Sequence, residues 1–187
     1  MNLAVKGSEL SFAFNLIEGR ILLRVLRAIL KNYALAPDEL DVRGRAAWYA
    51  TRGCESAGLS AEEIREWQQA LHECKSARLG QVEGWYRQLA RTEQGTSRLS
   101  VPLNDAPSLL AALNDHRLLV AARQDIGQTE MDTHDLDEAE KLGHQKQAAL
   151  LEIHFLAWII EEILRHLPGQ PGDWNGGATE LPSKPGE

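Results

Sequence analysis

Cysteine is almost missing from this chain: Cys54 and Cys74 stand alone in 187 residues, with no CxxC pair. Two isolated thiols cannot build a disulfide scaffold, so both are expected to be free and the compartment reducing. Long apolar runs are missing too. The two greasiest stretches are interrupted by Glu18, Arg20, Arg24 and Arg27 and by Glu152, His154, Glu161 and Glu162. Neither offers the roughly 18 uninterrupted apolar residues of a membrane span. Residues 1–7, MNLAVKG, lack the basic and apolar segments of a secretory leader, so a cytoplasmic location without membrane contact is expected. Positive charge is in deficit, with 20 Lys and Arg against 27 Asp and Glu and a net charge of −7. Such a surface repels a phosphate backbone, which makes nucleic acid an unfavourable partner unless the basic residues are segregated.

Active-site signatures are likewise absent. The sequence holds no Glu-x-x-His, His-x-x-x-His or HExxH, the spacings that put metal ligands on one helical face. It also has no GxSxG, GxGxxG or P-loop. Neither catalytic residues nor a cofactor or metal are therefore expected. Three Glu/His pairs at i,i+4 remain, Glu130/His134, Glu140/His144 and Glu162/His166, and solvated helix-surface interactions explain them. His154 lies among apolar residues, where a hydrogen-bonded core histidine is the plainer reading and a metal or small-molecule ligand the sharper one.

What is present is helical patterning. Hydrophobic residues at 43% and charged residues at 25% suit one folded domain. That domain is expected over residues 1–167, followed by a flexible tail, because residues 168–187 hold four prolines and five glycines. Alternation over 2–6 and 9–13 around Lys6-Gly7-Ser8 predicts a β-hairpin. Asn15 and Glu18 form a capping box that opens a helix running to about Tyr33. A weaker helical stretch follows over 38–58. Ser60 and Glu63, with Leu59 and Ile64 as staple, open a long helix whose apolar stripe is Ile64, Trp67, Leu71, Cys74, Val82, Trp85 and Leu89, interrupted by Arg78. Cys74 reads as a small core residue, and Gly80 and Gly84 as places where the helix could bend. Residues 94–103 read as a loop with some strand propensity. Asn104-Asp105-Ala106-Pro107 then caps a helix to about Asp125, and residues 132–167 form a last helical region divided near Gly143. The fold class is mainly α: a single-domain bundle or orthogonal array of about five helices with a small N-terminal hairpin.

At about 100° per residue, Arg20, Arg24, Arg27 and Lys31 fall in one stripe of the first helix while apolar residues fill most of the remainder. The helix over 145–167 has the same character. These two are therefore expected to pack together as the core. The basic stripe is a candidate contact for an acidic partner, or for DNA in a transcription-regulator reading. Internal neutralisation by Glu161 or by the acidic run from Asp132 to Glu140 is the structural alternative. Asn114-Asp115-His116-Arg117 is the second candidate. Arg117 projects to the side of Leu110 and Leu113 and is expected to be partly buried and paired, as a structural clamp or a ligand contact, with Asp115 pointing elsewhere.

Residues 110–118, LAALNDHRL, followed by Arg123 and Ile126-Gly127, resemble the best-marked segment of the bacterial DUF2017 family. The order of elements extends the resemblance over residues 1–167. In the final helix Phe155 and Glu161 or Glu162 stand where the family pattern has a second Trp and a Gln. The resemblance marks Asn114, Asp115 and Arg117, and more loosely Trp158. It implies no assigned activity, and it implies a gene neighbourhood beside a Clp-protease adaptor and a JAMM-type metallopeptidase. The expected function is a non-catalytic protein-interaction module, accessory to Clp-type proteolysis, with a protein partner or a second copy of the chain. The alternatives are a DNA binder using the Arg20 stripe and an enzyme built around His154 and Arg117.

Overall fold

In a computed structural model that describes residues 1–91, 96–132 and 143–167, the chain is mainly helical with a small antiparallel sheet. Strands β1 (Asn2–Lys6) and β2 (Glu9–Phe14) form the expected hairpin, turning at Gly7 with a φ of +61° that glycine adopts without strain. A third strand, β3 (Ser97–Pro102), joins the outer side of β2 in the region whose sequence reads as a loop with some strand propensity. Its pairing with β2 places Leu10 against Val101 and Phe12 against Leu99, four side chains that are all buried. The open edge of β3 is partly covered by Gln88, whose amide accepts from the Ser100 N–H at 2.8 Å and donates to its carbonyl at 3.2 Å.

Helix α1 (Leu16–Tyr33) opens on the expected box: the Asn15 side chain accepts from the Ile17 and Glu18 N–H groups, and the Glu18 carboxylate accepts from the Asn15 N–H at 2.8 Å. Short helices α2 (Val42–Trp48) and α3 (Thr51–Ser56) resolve the weak stretch, separated by Ala50 at a left-handed φ of 51°. The Ser60 capping box is present at the start of α4 (Ala61–Ser76). The long helix predicted there is two helices. It breaks at Ala77–Arg78, ahead of Gly80 and Gly84, and resumes as α5 (Leu79–Ala90). Helix α6 (Ala106–Arg123) has Pro in its first turn, but the Asp105 carboxylate does not cap it; it accepts instead from Gln81 Nε2 at 3.0 Å. The short α7 (Gln128–Asp132) and the long α8 (His144–His166) complete the helices of the described residues. The predicted tail over 168–187 lies outside the described residues.

The expected pairing of the first and last helices needs correction. Helix α8 packs chiefly on α6, and α1 chiefly on α5, with α6 lying against both α1 and α8. The hub is therefore α6, which buries Leu109, Ala112, Leu113, His116 and Leu119. Helix α1 is amphipathic rather than engulfed. Leu22, Val25, Leu26 and Ile29 are buried, while Leu16 and Ile17 are exposed. Reading every apolar residue of α1 as buried overestimated its enclosure, because an apolar residue on a surface helix carries no obligation to be covered.

Helix α1 approaches β3 closely at Gly19, where an added Cβ would lie 2.6 Å from Ser97 Cβ. Replacing Gly19 with Ala is expected to destabilise the fold by about 1–3 kcal/mol through overpacking, read as a lowered urea midpoint with an unchanged slope.

Candidate functional site

Consecutive residues of α6 enter two separate polar networks. Asp115, midway along the helix, accepts two contacts from outside α6: Lys75 Nζ of α4 lies 2.6 Å from Oδ1, and Tyr33 Oη at the end of α1 donates to Oδ2 at 2.8 Å. Lys75 is 6% exposed, and its ammonium sits 4.7 Å from the centroid of the buried Trp48 ring. Trp48 in turn meets Tyr33 edge to face at 5.5 Å. A charge so deep needs this company, since an unpaired ammonium in such a place costs several kcal/mol. Burial pushes Lys75 below its ordinary pKa, and the carboxylate of Asp115 only partly opposes that. Burial also raises the Tyr33 hydroxyl, reinforced by the charge and hydrogen bond of Asp115 and opposed by Arg78 beside it.

A fringe of polar contacts surrounds this centre. Ser76 Oγ donates to the Tyr33 carbonyl at 3.3 Å and lies 3.5 Å from His72 Nε2, while His72 Nδ1 is 3.5 Å from the Tyr49 hydroxyl. Burial raises that hydroxyl to about 12. Trp67 Nε1 donates to the Tyr49 carbonyl at 2.7 Å, so this half-exposed indole ties α4 to the end of α2.

The second network faces the other way. His116 Nε2 lies 2.9 Å from Glu152 Oε1 on α8, and Arg24 of α1 reaches Glu152 Oε2 at 2.5 Å. His116 is 5% exposed, and its Nδ1 is buried with no hydrogen-bond partner among the described residues. Burial raises the Glu152 pKa, but His116 and then Arg24 outweigh it and leave the carboxyl below its ordinary 4.5. One glutamate thus joins three helices.

Arg117 is half-buried as expected, but the pairing expected of it falls to Asp115. Asp115 is the residue paired inward; Arg117 is half-buried with no carboxylate within ion-pair distance among the described residues, and Asn114 is exposed. The helix between Leu113 and Arg117 turns Asp115 toward α4 and α1, a direction set by neighbours rather than by the apolar stripe of α6 itself. Of the basic stripe, Arg24 alone is brought into a network, and its partner is Glu152 rather than Glu161, which lies 3.9 Å from Arg165. Residues 133–140 of the acidic run lie outside the described residues. Arg20, Arg27 and Lys31 are exposed, with no carboxylate within ion-pair distance among the described residues. His154 is half-buried; the deeply buried histidine is His116, which the sequence did not single out. In the Glu162/His166 pair, His166 Nδ1 meets the Glu162 carbonyl at 2.8 Å while the carboxylate pairs with Arg165. His134 and Glu140, needed for the other two pairs, lie outside the described residues. Glu130 accepts from Lys146 at 3.0 Å and from the Gly127 N–H at 2.7 Å.

Lys75 was also missed, and Cys74, assigned to the core, is exposed. At about 100° per residue Lys75 lies nearer to Ile64 and Leu71 than Cys74 does, while Cys74 lies nearer to Trp67. The periodicity therefore allowed either, and charge alone decided against the lysine. Both thiols are free, as expected. Among the described residues no group of three or more His, Cys, Asp or Glu side chains could hold a metal ion, and no helix is long and apolar enough to cross a membrane.

Two predictions follow the two networks. Lys75→Met should destabilise by about 3 kcal/mol, because it strands Asp115, and adding Asp115→Asn should restore most of the loss while leaving Tyr33 an acceptor; urea unfolding of the singles and the double measures the coupling. For Glu152, folding favours the ionised form. That stabilisation is complete above the unfolded value of 4.5 and is lost as pH falls through the lower folded value. Glu152→Gln should therefore flatten the acid limb of the stability profile below about pH 5, followed by urea midpoints against pH.

Comparison with curated proteins and with solved structures returns no match. A family model does match, over residues 45–167, and its description is domain of unknown function (DUF2017). The matched span begins within α2 and takes in Lys75, Asp115, His116 and Glu152, so both networks except their α1 partners fall inside it. The chain belongs to the DUF2017 family.

Proposed function

We propose that this protein is a non-catalytic interaction module, accessory to Clp-type regulated proteolysis, that docks a protein partner through the outer face of α8. The observation that carries the reading is an apolar line within the family-matched span. Leu151 is 72% exposed and Trp158 is 37% exposed, and between them half-buried Phe155 lies 6.3 Å, ring to ring, from Trp158. The spacing i, i+4, i+7 puts all three on one side of the helix. Aromatic and aliphatic anchors in such a row are what an interface uses, and a Leu as exposed as Leu151 contributes little to folding there. The buried ionisable groups support the same reading. Lys75, Asp115, His116 and Glu152 each hold a neighbouring helix. Proteolysis is favoured by the gene neighbourhood that the family resemblance implies.

Immobilised full-length protein should retain purified Clp-adaptor or JAMM-type metallopeptidase, and Leu151→Asp with Trp158→Asp should weaken retention at least tenfold with unchanged circular dichroism. Retention of neither component by the wild-type chain contradicts the proteolytic assignment, and retention untouched by the double variant contradicts the α8 face.

A further inference from the structure

The basic face of α1 lies outside the family-matched span and needs its own account. Arg20, Arg24, Arg27 and Lys31 are spaced 4-3-4, which keeps them in one line along about 16 Å of helix. A second line with the same spacing exists on α4: Glu62, Glu66, Gln69 and Glu73, all exposed. None of its three glutamates has a cation within ion-pair distance among the described residues, and Gln69 Nε2 donates to Glu73 at 2.9 Å.

The two lines match in more than pitch. The spacing 4-3-4 reads the same in both directions, so an antiparallel approach sets Arg20 against Glu73, Arg24 against Gln69, Arg27 against Glu66 and Lys31 against Glu62. The single neutral member, Gln69, thereby meets the single cation that already holds a carboxylate, Arg24 on Glu152 at 2.5 Å. The three cations left without a carboxylate among the described residues meet the three carboxylates left there without a cation. Half-buried Ile21 and Ala28 beside the α1 line, and exposed Ala70 beside the α4 line, leave room for two helices to approach.

We infer that α1 of one molecule pairs antiparallel with α4 of a second copy of this chain, through Arg20–Glu73, Arg27–Glu66 and Lys31–Glu62. A second copy fits better than an extended polyanion, because nucleic acid or an anionic bilayer would also meet the net charge of −7, whereas the α4 line presents its carboxylates only where the cations lie. Exposed ion pairs contribute little each and are screened by salt, so the association is reversible and ionic-strength dependent. It goes beyond the α8 reading and does not rest on it.

Analytical ultracentrifugation of the full chain at about 20 mM and about 500 mM salt tests the pairing, with dimerisation expected at the lower and weakened at least tenfold at the higher. Arg20→Glu with Arg27→Glu and Lys31→Glu should abolish self-association, as should Glu62→Arg with Glu66→Arg and Glu73→Arg. Mixing the two triple variants should restore it, because each then offers the other its complementary lines; that recovery also shows both variants to be folded. A wild-type chain that stays monomeric at low salt, a triple variant that still self-associates, or a mixture that fails to pair overturns the inference. Duplex DNA or anionic vesicles that bind the α1 line at salt where the chain does not self-associate would overturn it too. Partner capture through α8 is read on Leu151 and Trp158, so either proposal can fail while the other stands.

Discussion

The architecture turns on two neighbouring side chains of α6 that point in different directions. Asp115 anchors α4 and the end of α1 through Lys75 and Tyr33, and His116 anchors α8 and the middle of α1 through Glu152 and Arg24. Apolar packing alone resists small rotations or slides of α6 against its neighbours only weakly, because burial is non-directional. Two polar clamps one residue apart remove that freedom. They fix both the rotation of α6 and the register of three helices around it.

The Lys75–Asp115 clamp is not primarily a source of stability. Lys75 is held below its ordinary pKa because the Asp115 carboxylate does not fully offset burial, and such a pair gains its value from orientation. The Trp48 ring beneath the ammonium and the Tyr33 hydroxyl on the far carboxylate oxygen restrict the arrangement further. The bulk of the folding free energy belongs to the apolar layer that includes Phe12, Phe14, Leu26, Leu109, Leu113 and Leu156. With the interior fixed in this way, the exposed lines on α1, α4 and α8 sit on helices of set rotation and register.

Local chemistry was the legible part of the sequence. The capping boxes at Asn15 and Ser60 and the turn at Gly7 involve residues within a few positions of one another, and each is present as read. Long-range choices were not legible. Strand β3 is defined by its register with β2, nearly ninety residues earlier in the chain, and no pattern within residues 97–102 names that partner. Asp115 was marked by family resemblance, but its partners were not legible, since they are Lys75 and Tyr33 on other helices. Lys75 itself was hidden by its charge: a buried ammonium that sits over Trp48 looks, in one letter, like a solvated residue. The pairing of α1 with α8 failed because both have wide apolar faces, and width alone does not say which third helix lies between them.

The central claim is that α6 is the hub. Residue-resolved amide hydrogen exchange under native conditions measures it directly, because the most enclosed element opens only when the whole molecule unfolds. The account predicts the slowest exchange over the middle of α6, from Leu109 to Leu119, at rates set by global unfolding. Faster exchange there than in α1 and α8 would contradict it.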